Sequence, residues 1–562
     1  MLLRLDAWRR DIASRIPQGL IDKWPFLALF AASAGMMLTA PFADDFWWSD
    51  APRHALNGAF IMDFIRDFPV HHPAAWAMDY YIRYPSLTIL FYPPLFYVFE
   101  AVFYALFGVS HAVAQFTESV FIFLFAVGAY LFSRQWLSGI AAVGVALLTI
   151  GAPEVAYWGR QVMLDIPAYA LGLIGIVFVC HYLRHNAPAS IYLATAFFLA
   201  AVYTKYNFAF LVLPAVAAVL VARGWRVLLD RHVIIAMAVG FIALLPAAYM
   251  FYRFGAVNVT AVVDQPGGMA RHSFSAWTYY AAQLPHQLGY ATVGFAVAGL
   301  VLSLSGRLKI GLEPWAWALL VAWFAGGYLF FSLISHKEPR HDLMIVFPVI
   351  VFAALAVDRF GGRRLIAQVA ILLVGTGTYF YSLFWYPPPL VSDYRDVARY
   401  VIDHAPSPGV VVFSGYRDGN FVFAMRGLAE RRDLTVLRAA KLLMKIAVTR
   451  SFGVVQSDLD EAGIKQMLKD YGVAMIVVQR SFWQDLHAME RFDSVVHSSD
   501  FRLVTSFPIT GQLVPDDGPD ASGTGMVDIY VPNYKVEPPK GPITIDLPII
   551  GATVTGEAAK KQ

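Results

Sequence analysis

Runs of about twenty apolar residues recur along this chain, and few features constrain a fold more tightly. Hydrocarbon offers the backbone no hydrogen-bond partner, so such runs must cross a bilayer as helices. Suitable stretches occur near 24–43, 112–133, 139–157, 166–184, 189–204, 207–223, 233–252, 288–306, 313–335, 342–357 and 364–385, which predicts about eleven spans. The chain is 58% hydrophobic and 15% charged over 562 residues, too apolar for an ordinary soluble protein. Aromatic residues, 15% of the chain and part of that hydrophobic share, suit many helix ends at lipid headgroup level.

A further apolar run, 88–108, decides the sidedness of everything after it. If it lies along the membrane, then Arg134, Arg184, the group Arg223, Arg226 and Arg231, the pair Arg307 and Lys309, and Arg359, Arg363 and Arg364 all face the cytosol, as the positive-inside rule requires. If it spans, most of them face outward. Pro93 and Pro94 break the run near its start, and Glu100 would sit mid-membrane in a spanning helix, so the interfacial reading is adopted. Arg4, Arg9, Arg10, Arg15 and Lys23 precede the first run, the pattern of an uncleaved signal-anchor with a cytosolic N-terminus.

The expected organisation is a cytosolic segment 1–23 and a transmembrane domain 24–385 with outer loops 44–111 and 253–287. A soluble α/β domain outside the cytosol follows over 386–535, where amphipathic helical and short β-rich runs replace the apolar pattern, and then an extended, proline-containing tail 536–562. The single cysteine, Cys180, lies in an apolar run and excludes a disulfide framework or a cysteine-based metal site. A formal net charge of +3 implies no nucleic-acid surface.

The candidate chemistry gathers on the outer side. The first outer loop opens PFADDFWWSD, with Asp44 and Asp45 just past the first span. Such a pair can cap the helix that follows, or one acid can take a proton from an acceptor while its neighbour holds the acceptor or a divalent cation. With Asp45, His71 and His72 of the same loop are candidate metal ligands, so a divalent cation is a candidate cofactor. Arg160 and Asp165 flank the loop 153–165, and either a plain salt bridge or a place in the site suits them. Lys205, between two apolar helices, is costly to bury without an anion unless it snorkels to the surface. Lys337, Arg340 and His341 crowd the turn SHKEPRHD, and Arg253 opens the second long loop.

The order of these features resembles the GT-C class of lipid-carrier-dependent glycosyltransferases, the group of protein O-mannosyltransferases and lipid A aminoarabinose transferases. The acidic ADD, YPPL at Tyr92–Leu95, GRQVMLDIP at 159–167, TKY at 204–206 and KEPRHDLMIVFP carry the likeness, over roughly residues 20–360. The resemblance implies a GT-C-like helical fold and a polyprenyl-phosphate-linked sugar as donor. It implies Asp44 as catalytic base and Asp45 as its acidic neighbour, with Arg160, Asp165, Lys205, Tyr206, Tyr92, Arg253, Lys337 and Arg340 as candidates for the donor phosphate or the site scaffold. Asp45 stands where many relatives have glutamate, and His341 where an aromatic is common.

The expected function is therefore transfer of a sugar, with inversion, to a glycolipid, polysaccharide or protein acceptor on the periplasmic side of a bacterial inner membrane. A lipid or sugar transporter or flippase, and a non-catalytic sensor of sugar-lipids, are the alternatives.

Overall fold

A computed structural model describes residues 23–255, 259, 267–446, 450–511, 524–547 and 551–558. The expected cytosolic residues before Lys23, and 256–258 and 260–266 of the second outer loop, lie outside them.

Among the described residues, seven helices are long and apolar enough to cross a membrane, and nine if each of two bent pairs counts as one span. The expected count of about eleven is not reached on those criteria. Trp24–Leu38 and Pro188–Thr204 are apolar but fall short at 15 and 17 residues. The bends are the other departure. The run expected at 139–157 is Gly139–Gly151 followed by Pro153–Gly159 at 64°. Phe274–Leu288, inside the expected second outer loop, meets Tyr290–Leu304 at 117°. Gly289, at φ +80°, occupies a backbone region open to glycine and strained for other residues, and so makes that corner.

Close helix contact rests on small residues. Gly144 and Gly375 face each other where Gly139–Gly151 crosses Leu365–Trp385, and a Cβ on Gly375 would lie 2.1 Å from the Gly144 carbonyl oxygen. Backbones can approach this closely only where side chains are absent.

The first outer loop is three helices, Ala51–Asp67, Pro73–Arg83 and Leu95–Phe107. Pro52 and Pro73 sit in the first turns and Pro94 immediately precedes the third, positions where a missing N–H costs little. Leu95–Phe107, at 13 residues, reaches about 20 Å and cannot cross a core of about 30 Å.

The two ends of the helical bundle differ in chemistry. At one, Trp136 donates to Glu313 at 2.7 Å, Arg184 pairs with Glu313 at 2.9 Å, and Arg359 donates to the Ile310 carbonyl. Arg340 and Asp165, at the opposite ends of the helices that carry Arg359 and Arg184, mark the other.

After the last span a mixed six-stranded sheet forms, in the order Val391–Ser392, Phe501–Gly511, Thr524–Pro532, Val473–Gln479, Gly409–Ser414, Leu434–Arg438. Its last three strands are parallel and the other pairings antiparallel. Gly409–Ser414 is buried throughout, as expected of a central parallel strand. The tail expected to be extended instead contains an antiparallel hairpin, Ile543–Leu547 with Ala552–Gly556. It lies on Pro73–Arg83, where the Glu557 amide donates to Asp79 at 3.2 Å.

Candidate active site

The broken ends of helices build the site. Helix Pro188–Thr204 stops at Lys205, whose backbone is extended before a 3-10 turn, Tyr206–Leu211, resumes. The gap delivers the Lys205 ammonium to Asp165, at the start of Asp165–His185, with Nζ 2.5 Å from Oδ1. Nearby, Arg340 of the turn Pro339–Asp342 lies over two indole rings, 5.0 Å from Trp48 and 4.8 Å from Trp158, and ion-pairs with Glu338. Burial alone would raise the Glu338 carboxyl. The charge of Arg340 and a 2.5 Å contact with His336 overcome it and hold Glu338 well below the usual range. Each cation thus has a carboxylate partner, which offsets the cost of keeping it out of water.

His54, of the first outer loop, is buried. Its Nδ1 is 2.9 Å from the Tyr97 hydroxyl, and its ring meets the edge of Tyr92 at 5.3 Å. Burial pushes the imidazole down to about 4, so it is neutral at physiological pH. The charged groups acting on it are Asp50, Lys205, Asp165 and Arg340.

The first-loop acid at this cluster is Asp50. Its charge bears on Arg340, on His54 and on Tyr92. It precedes helix Ala51–Asp67 but makes no side-chain cap bond; its Oδ2 accepts from the Trp48 indole at 3.3 Å. The sequence reading passed over Asp50 in favour of the adjacent acids before it. The available signal was its place in PFADDFWWSDAP, one residue before a helix whose second residue is proline.

Asp44 and Asp45 face elsewhere. The Asp45 carboxylate accepts from the Tyr394 amide at 2.9 Å, and its own N–H donates to Val391 at 2.9 Å. It is 6% exposed and sits at the start of helix Tyr394–His404 of the soluble domain. Burial lifts its carboxyl to about 7 against the pull of the Tyr394 and Arg395 amides. Asp44, half-buried, is raised by burial and then by Asp393, and its carbonyl is 2.8 Å from His111 Nδ1. The pair lies at a junction between domains.

The remaining expected residues divide. Tyr92, Asp165, Lys205 and Arg340 come together. Arg160 does not: Nε donates to Ala156, Nη1 to Leu383, and Nη2 to Ser382 and Tyr386, all backbone carbonyls. It clamps the loop 153–165 to the end of the last span. Lys337 donates to the carbonyls of Phe331 and Ser332, both at 2.8 Å, and burial lowers its ammonium to about 8. It caps the end of Pro314–Ser332, the kind of place where a cation is favoured. The Tyr206 ring packs on Phe251 at 5.2 Å, while Arg253 is exposed and lies over Phe254. His71 and His72 are exposed. Among the described residues, no group of three or more His, Cys, Asp or Glu is placed to hold a metal ion, so the expected set of Asp45, His71 and His72 is not assembled.

Comparison with known proteins agrees with this architecture. Residues 92–250 match the family model described as dolichyl-phosphate-mannose-protein mannosyltransferase. No curated protein matches the chain in a sequence search. Among solved structures, ArnT from Cupriavidus metallidurans bound to undecaprenyl phosphate superposes with a TM-score of 0.61 at 13% identity, over 91% of this chain and 98% of that one. The apo form of the same protein gives 0.59 at 15% identity, over 89% and 97%. The Archaeoglobus fulgidus oligosaccharyltransferase in complex with Zn and sulfate gives 0.51 at 13% identity, over 80% and 67%. The chain is a polytopic helical membrane protein of the GT-C fold with a sheet-containing C-terminal domain.

Proposed function

We propose that this protein transfers a sugar from a polyprenyl-phosphate carrier to an acceptor on the extracytoplasmic face of the bacterial inner membrane, with inversion at the anomeric carbon. One observation carries the reading. Asp50 and Asp165 converge with Lys205 and Arg340 around a neutral His54, at one end of a bundle whose fold matches ArnT. The matching structure of that protein holds undecaprenyl phosphate.

In this reaction Asp50 takes the proton from the acceptor's hydroxyl or amine as that atom attacks the anomeric carbon. The bond from that carbon to the phosphate oxygen breaks, and the electron pair leaves with the lipid phosphate. Arg340 and Lys205 stabilise the charge that gathers there. A phosphate is a good leaving group and needs no general acid, so one carboxylate base suffices where glycoside hydrolysis uses two. The neutral His54 adds no charge and fixes Tyr92 and Tyr97 around the reacting groups. Asp44, expected to be the base, is acted on by the charge of Asp393, whereas the charge of Asp50 acts on Arg340, which supports Asp50 in that role.

The test compares transfer from a polyprenyl-phosphate sugar in membranes carrying wild type, Asp50→Asn or Asp44→Asn. Asp50→Asn is expected to lower kcat by on the order of a thousandfold, and Asp44→Asn by less than about threefold. The reverse order would return the base to Asp44. Mass spectrometry of envelope lipids and glycans from a deletion strain against its complemented form names the sugar and acceptor.

A further inference from the structure

The soluble domain grips the loop that carries Asp50, and the grip is residue by residue. The Val391 carbonyl accepts from the Asp45 amide. Asn420 donates to the Phe46 carbonyl and Arg417 to the Trp47 carbonyl, both at 2.8 Å. Gly419 lies so close to Pro52 that a Cβ there would come within 2.7 Å of its ring. The last hold runs through a charge pair. Asp418, 4% exposed, accepts from Arg53 at 3.2 Å, from Arg438 at 2.9 Å and from the Ser86 hydroxyl at 2.6 Å. Arg53 in turn donates Nη1 to the carbonyl of Ser49, the residue before Asp50.

Residues 417–420 follow strand Gly409–Ser414, at the carboxyl end of parallel strands. Open α/β sheets ordinarily bind ligands at that end. Here the place is filled by the enzyme's own first outer loop.

We propose that Asp418 of the soluble domain is a positioning residue for transfer, acting through Arg53 to set where the Asp50 carboxylate stands relative to Arg340. The inference rests on the assignment of Asp50 as base. Arg53 bridges two anchors, the Asp418 carboxylate and the Ser49 carbonyl, so loss of either end frees the segment 49–50 to shift. A base displaced by about an ångström loses on the order of tenfold to a hundredfold in rate.

The experiment uses the full chain in membranes or detergent, with Asp50→Asn, Asp418→Asn, Arg53→Gln and the double variant Asp418→Asn/Arg53→Gln. Asp433→Asn, which breaks an ion pair elsewhere in the soluble domain, is the control for general disturbance. The expected result is a fall in kcat of about tenfold or more for Asp418→Asn with KM for the lipid donor little changed, and a double variant no worse than Arg53→Gln alone. The fall in kcat at unchanged KM separates positioning from simple loss of fold, and Arg53→Lys, which keeps the charge but cannot bridge both anchors, should recover only part of kcat. If Asp418→Asn lowers expression, Arg53→Gln reads the same link from the membrane side. Full kcat in Asp418→Asn, alongside an inactive Asp50→Asn, overturns the positioning role and leaves the base intact. An active Asp50→Asn overturns the base assignment itself, and this inference with it.

Discussion

Arg340 shows how a single side chain can be specified by several neighbours at once. Two indole faces hold its guanidinium, Glu338 pairs with it, and the charges of Asp165 and Asp50 reach it. Lysine keeps the charge but has no plane to stack between Trp48 and Trp158. Arg340→Lys is therefore expected to lower kcat/KM for transfer by on the order of a hundredfold without loss of folded protein, read in a membrane assay beside a thermal melt. Asp45 makes the opposite case, a carboxyl whose work is structural. Its folded value of about 7 lies above the ordinary carboxylate value, so the folded state binds more protons between the two. That stability is fully present below about pH 4 and is lost as pH rises through about 7. Asp45→Asn keeps an acceptor for the Tyr394 amide and removes the titration. The pH slope of thermal unfolding should flatten between pH 4 and 7 while transfer stays within about threefold of wild type; an unchanged slope would place the titration elsewhere. The neighbouring acids Asp44, Asp45 and Asp50 look alike in sequence. What separates them is a partner at Tyr394, 349 positions along the chain from Asp45, and an arginine at 340. Pairings at such separations leave no local mark, so the sequence alone offered no way to choose among the three acids.

At the scale of elements, the apolar runs were legible because lipid tolerates nothing else, and the break expected at Pro93 and Pro94 coincides with the start of Leu95–Phe107. The bends were not. Hydropathy gives length and composition but no direction, so Gly139–Gly151 with Pro153–Gly159 read as one straight span, and Phe274–Leu288 read as loop. The interface between the two domains was equally invisible, since it depends on side chains from helices far apart in sequence. Its densest point is Asp63 of Ala51–Asp67, which accepts from Arg426 of Asp418–Leu428 at 2.8 and 2.6 Å and from Tyr80 at 3.0 Å. Both partners are buried, and without Arg426 the Asp63 carboxylate keeps Tyr80 and the more exposed Arg66, which donates to it at 2.8 Å. Arg426→Ala is therefore expected to cost about 1.5–3 kcal/mol, seen as a lowered unfolding midpoint for the soluble domain and its docked helices. Replacing both partners together, Asp63→Leu with Arg426→Met, should recover part of that loss, because no buried carboxylate is then left short of its partner.

For the whole molecule, the ordering principle is segregation of charge to the two ends of an apolar bundle. Arg184, Trp136, Glu313 and Arg359 knit one end, where the arginine-rich connections between spans gather. The acids and cations of the candidate site, and the domain that grips them, share the other. The first end carries most of the connecting lysines and arginines, so the positive-inside rule assigns it to the cytosol. The proposed reaction requires the soluble domain to lie outside, where the donor is a lipid-linked sugar. Cysteine labelling tests this without a background to subtract, because the sole native cysteine, Cys180, is fully buried. Asp458→Cys lies on the exposed surface of the soluble domain, and Ser305→Cys on the exposed connection after Tyr290–Leu304. A membrane-impermeant maleimide added to intact spheroplasts should modify Asp458→Cys and spare Ser305→Cys until the membrane is opened. The reverse pattern would put the soluble domain, and Asp50 with it, in the cytosol. The inner helices would keep the same packing, but the donor would have to present its sugar on the other leaflet, and the proposed reaction would lose its location.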